Sequence, residues 1–155
     1  MTEVEFHTGL AEPLDLALRM VRKAYRQGVA VCVTAPPAIL QQLDHALWSA
    51  EDRDFVPHLR WPGAKPEVCQ RTPIWLCESV PDAPGTPTVL INVGAEAPAA
   101  PLALSRLIEL VSRDVDAAAL GRQRWRNYKA LGLEIRHHAP LTRGTGDDIG
   151  ASEQA

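Results

Sequence analysis

The 155-residue sequence contains no run of about eighteen or more uncharged apolar residues, the length a helix needs to cross a bilayer. Its first residues, Met1-Thr2-Glu3-Val4-Glu5, lack the basic-then-apolar order of a secretory signal. A soluble, cytoplasmic protein with no membrane partner is therefore expected. Cysteine is scarce. Cys32, Cys69 and Cys77 are odd in number and form no C-x-x-C pair, which leaves reduced, buried thiols as the expectation. A basic balance is also missing: the formal net charge is -3, so no global attraction to nucleic acid exists and any basic function must come from a local patch.

Motifs for familiar chemistry are absent as well. No G-x-x-x-x-G-K-[ST] and no G-x-G-x-x-G joins a strand to a helix, so the usual phosphate cradles of α/β proteins are missing. No G-x-S-x-G elbow or H-E-x-x-H occurs either. His137 and His138 are adjacent, and on a strand they point to opposite faces, which prevents their convergence on one ion. Asp114 and Asp116 stand where they would cap a helix or complement its dipole. No catalytic residue, metal site or cofactor is expected. A nucleotide-dependent enzyme survives only as an alternative by analogy with the fold class.

What is present is enough apolar character, 46% of residues, for the core of a single domain. Val4 to Thr8 alternates as a strand. Pro13 opens an amphipathic helix carrying Leu14, Ala17, Leu18 and Val21, and Gly28 stops it. Val29 to Val33 is a short buried strand, and Pro36-Pro37 opens a second helix that ends near Trp48 and Ser49. Glu51 to Asp54 is a charged loop, and Phe55 to Thr72 is expected to be irregular from its Pro, Gly and charge content. Further strands are expected at Ile74 to Cys77, Thr88 to Val93, Leu107 to Val111 and Leu133 to His137, with a helix from Val115 to Leu131 closed by Gly132. Alternating strands and helices imply a single-domain, doubly wound α/β fold of Rossmann-like type, with a mainly parallel sheet and helices on both faces. The domain should cover residues 1–140, with a polar C-terminal tail over 141–155.

The most unusual segment is Gly121-Arg122-Gln123-Arg124-Trp125-Arg126-Asn127-Tyr128-Lys129. At helical spacing Arg122, Arg126 and Lys129 share a stripe roughly 60° wide with Trp125 beside it. Ala117, Leu120, Tyr128 and Leu131 occupy the other side and are expected to face the core. Arg124 falls on that apolar side and must snorkel or pair with a buried acid. Cations around an indole suit a peptide with carboxylates and an apolar anchor. The same pattern also fits a solvated basic face, or a helix that binds single-stranded nucleic acid directly.

Three stretches together resemble the chi subunit family of the bacterial DNA polymerase III clamp-loader complex: Leu43-Asp44-His45-Ala46-Leu47-Trp48, Phe55-Val56-Pro57-His58, and R-x-R-W-R-x-Y-K-x-x-G from Arg122 to Gly132. The resemblance implies a non-catalytic adaptor in DNA replication with two partners, the psi subunit and the acidic C-terminal tail of single-stranded DNA-binding protein. It touches DNA only indirectly. The resemblance further implies that Arg122 takes the terminal carboxylate of that tail and that Trp125 walls an apolar pocket bordered by Trp48 and Val111. Arg126 and Lys129 would attract upstream acids. Phe55 would mark the psi interface, where a helicase is a candidate competitor. Two positions depart from the family pattern: Ala118 stands where relatives can carry lysine, and Trp125 where tyrosine is frequent.

Overall fold

The computed structural model describes residues 2–49 and 55–140; the expected loop at Glu51 to Asp54 and the expected tail lie outside them. Among these residues, seven strands and four α-helices follow in the order β1 (Glu3–Leu10), α1 (Pro13–Arg26), β2 (Val31–Thr34), α2 (Pro37–Ser49), β3 (His58–Arg60), α3 (Pro66–Arg71), β4 (Ile74–Cys77), β5 (Val89–Asn92), β6 (Arg106–Ser112), α4 (Val115–Ala130) and β7 (Ile135–His138), with a short 3-10 helix at Pro101–Ala103 before β6. The strands form one sheet in the order β3-β4-β2-β5-β6-β1-β7. Every pairing is parallel, as near-continuous apolar segments such as Val31–Thr34 and Ile74–Cys77 require when both faces are covered.

The winding follows from handedness. The chain steps in one direction across the sheet from β1 to β2 to β3, then returns from β3 through β7. Right-handed crossovers place α1 and α2 on one face, and α3 and α4 on the other. The two cores obey this division. Ala17, Val21, Leu40, Leu43 and Leu47 pack with Val33, Leu76 and Ile108 on the first face. Tyr128, Phe6, Trp75, Leu90 and Val111 pack on the second.

Local signals set the helix ends. Pro13 occupies the first turn of α1, and Gly28 after its end takes φ +73°, the left-handed conformation that glycine adopts without steric cost. Asp114 caps α4, its side chain accepting from the Ala117 N–H at 3.1 Å. The three cysteines are buried free thiols.

Two expectations are corrected. The 55–72 stretch holds β3 and α3, because Pro66 serves as the opening residue of a short helix and not as a breaker. The inward side of α4 is also different from the expected one. Tyr128 is buried, but Leu120 and Leu131 are 55% and 48% exposed, and Gly121 and Arg124 face inward instead. Gly121 explains the rotation. A Cβ at this position would lie 2.7 Å from Val111 Cγ1, so only glycine lets the helix approach β6 this closely.

Candidate functional site

The close seating of α4 leaves a polar side chain, Arg124, over the sheet, and a buried acid meets it. Glu109 on β6 is fully buried and accepts from Arg124 Nε at 3.0 Å and from the Tyr128 hydroxyl at 2.7 Å. Asn92 Nδ2 on β5 donates to both Glu109 oxygens at 3.2 and 3.0 Å, while its own Oδ1 accepts from Thr34 Oγ1 and from the Ala95 N–H. Burial pushes the Glu109 carboxyl above the usual carboxylate range, with Arg124, Tyr128 and Asn92 pulling against it. Burial, and then the Glu109 charge, hold the Tyr128 phenol above its ordinary range. Arg124 thus pairs with a buried acid, one of the two outcomes its position required, and the network fixes the register of α4 on the sheet.

The outer flank of the same helix borders a cavity of about 580 Å³, a volume typical of ligand pockets. Val111, Phe6 and Trp125 supply its apolar walls, and Arg122, Arg126 and Arg113 its cations. Arg122 and Arg126 are exposed, while Trp125 is half-buried. The indole tilts against Phe6 with centroids 4.8 Å apart and meets His137 edge-on at 5.3 Å. Thr8 Oγ1 lies 2.6 Å from His137 Nε2, which completes the wall from β1 and β7. Trp125 Nε1 is buried with no hydrogen-bond partner among the described residues. Guanidinium groups beside an apolar recess can take a carboxylate and the apolar group attached to it.

The structure therefore brings Arg122, Trp125, Arg126 and Val111 together. Lys129 continues the exposed stripe but does not line the cavity. Trp48, expected at the border of this pocket, lies elsewhere. It is 62% exposed at the end of α2, near the β3 edge of the sheet, with its ring 5.1 Å from Phe55 and 5.4 Å from His58. The reason is topological: α2 packs on the opposite face from α4 and leads toward β3.

This second patch joins two of the three sequence stretches that carried the resemblance. His58 Nε2 lies 2.7 Å from Asp44 Oδ1 and His58 Nδ1 lies 2.8 Å from the Val56 carbonyl oxygen. The imidazole is held between α2 and the segment entering β3, and Trp48 and Phe55 stand over it. Sequence reasoning missed Arg113, Phe6, Thr8 and His137 as cavity residues. Arg113 had a usable signal, since it directly follows a strand and open α/β sheets bind ligands beyond the carboxyl ends of strands.

Residues 1–136 match the family described as DNA polymerase III chi subunit, HolC. The chain is 33% identical over 144 residues to the DNA polymerase III subunit chi of Pseudomonas aeruginosa, an alignment covering 89% of this chain and 96% of that protein.

Proposed function

Because the chain belongs to the DNA polymerase III chi subunit family, we propose that it is a cytoplasmic, non-catalytic adaptor that links the clamp-loader complex to protein-coated single-stranded DNA. The α4 cavity carries the reading, because it sets Arg122 and Arg126 beside an apolar recess walled by Trp125 and Val111. An acidic peptide ending in an apolar residue with a free carboxylate, as in the tail of single-stranded DNA-binding protein, fits that chemistry. Arg122 takes the terminal carboxylate, Trp125 and Val111 hold the last side chain, and Arg126 with Lys129 draws the upstream acids. A bound carbonyl reached by a small turn of the indole would satisfy Trp125 Nε1, which has no partner among the described residues; a buried donor left unpaired costs about 1–3 kcal/mol.

The psi subunit docks on the Trp48–Phe55 patch, and a helicase that competes with psi would use the same rings. The two exposed aromatics stand side by side, the kind of anchor protein interfaces use. Trp48 thereby moves from the peptide pocket to the psi face.

A charge-assisted hydrogen bond contributes about 1.5–3 kcal/mol and a buried apolar anchor a similar amount, so after association costs the peptide should bind on the order of micromolar. The test is calorimetric titration with an acidic peptide ending in Pro-Phe, with its terminus free or amidated, alongside a naked oligonucleotide. Tighter binding of the free form supports the assignment. Equal binding of both forms removes the role given to Arg122, and tighter binding of the oligonucleotide would replace an adaptor with a direct nucleic-acid binder.

A further inference from the structure

We propose that Glu5, His7 and His138 form a binding site for a zinc-class transition-metal dication, one that ties the edge strand β7 to β1. The site lies on the face of the sheet opposite the α4 cavity. Strand alternation puts Glu5 and His7 on one side of β1, and the register sets His138 directly opposite His7. One donor atom from each of the three residues lies within 4.8 Å of the others. The two imidazoles stack with centroids 4.6 Å apart, and His7 Nε2 is 3.4 Å from Glu5 Oε2.

This arrangement is close to what an ion needs. Bonds of about 2.0–2.2 Å around a tetrahedral ion require donor atoms roughly 3.4 Å apart. The widest gap must therefore close by at most about 1.4 Å, a movement that the exposed His138 side chain can supply by sliding on the His7 ring. Arg106 Nη2 donates to Glu5 Oε1 at 2.6 Å, which fixes the carboxylate with Oε2 turned toward the imidazoles. That guanidinium also repels a cation, so affinity should fall below that of a closed four-ligand site. Two imidazoles and one carboxylate favour zinc, cobalt or nickel over magnesium or calcium, which prefer all-oxygen shells. On this face α1 packs over β6, and α2 over β3 and β4; Glu5 is buried, His7 half-buried and His138 exposed, so an ion would enter from the His138 side.

His137 and His138 still do not converge on one ion, since His137 faces Trp125 and the α4 cavity. The convergent partners come from the neighbouring strand. An ion here would steady β7 and, through it, the His137 wall of that cavity.

The test uses untagged full-length protein freed of metal, titrated with zinc by calorimetry and thermal shift and with cobalt by visible absorption. Zinc should raise the melting temperature, and cobalt should give ligand-field bands. His7→Asn and His138→Asn should each weaken zinc binding at least about tenfold and abolish the thermal shift. Because His138 is exposed, its variant should keep the metal-free melting temperature of the parent, which separates lost ligation from lost folding. His45→Asn, remote from the site, should bind as the parent does. No stabilisation by zinc, or full binding by both site variants, would overturn the proposal whatever the peptide titrations show.

Discussion

The two ends of the sheet present surfaces built on opposite plans. At the β1–β7 end, α4 is held over a buried polar network, and its outer flank combines cations with a recess. At the β3 end, Trp48 and Phe55 stand outward over an imidazole clamped by Asp44 and the Val56 carbonyl. The first plan suits a small charged group attached to an apolar one. The second exposes apolar area of the kind a broad partner would cover. The two surfaces lie at opposite edges of the sheet and share no described side chain, so the proposed function would let one small domain hold two polypeptides at once.

Substitutions at both ends of the sheet test this contrast. The largest effect should come from Glu109→Ala, which leaves the buried Arg124 without its partner and should cost about 3–5 kcal/mol of stability in urea unfolding. Replacing Glu109 and Arg124 together by leucine should recover much of that loss. If Glu109→Ala is neutral, the network does not anchor the peptide end of the molecule.

Arg122→Ala should weaken binding of the free-terminus peptide by about 1.5–3 kcal/mol in calorimetry and leave psi binding unchanged. Its effect on stability should stay within about 0.5 kcal/mol, as for other exposed side chains. For Gly121→Ala two effects compete. Alanine favours the helix by about 0.5–1 kcal/mol, but the clash with Val111 costs about 1–3 kcal/mol. Thermal melts should show net destabilisation, with weaker peptide binding as α4 lifts from β6.

Phe55→Ala should reduce affinity for psi by more than about 1 kcal/mol in a pull-down titration and spare the peptide; the reverse result would exchange the roles of the two surfaces. Lys129→Ala should have the smallest effect, a few tenths to 1 kcal/mol on peptide affinity, fading as salt is raised.

The parallel doubly wound sheet was legible because its buried strands are short apolar runs separated by Pro- and Gly-marked turns, as at Val31–Thr34 and Ile74–Cys77. The basic stripe of α4 was legible because helical spacing alone groups Arg122, Arg126 and Lys129. The inward face of α4 was not, since periodicity favoured Leu120 and Leu131 and gave no weight to a glycine. Its true orientation depends on Val111, a residue on a different element. The place of Trp48 was hidden for a related reason: helical pattern does not say which face of the sheet a crossover lands on. His138 shows the same limit, since its partners are set by β1–β7 register and not by its own neighbours in the chain.

The most direct measurement is a two-dimensional nitrogen–proton spectrum of the labelled protein during addition of the free-terminus acidic peptide, read at the indole signals. The Trp125 indole should move most, as the ligand reaches its N–H, with amide shifts at Val111, Ser112 and Arg122 and none at Trp48. Shifts concentrated at Trp48 and Phe55, with Trp125 unmoved, would contradict the assignment of the peptide to the α4 cavity.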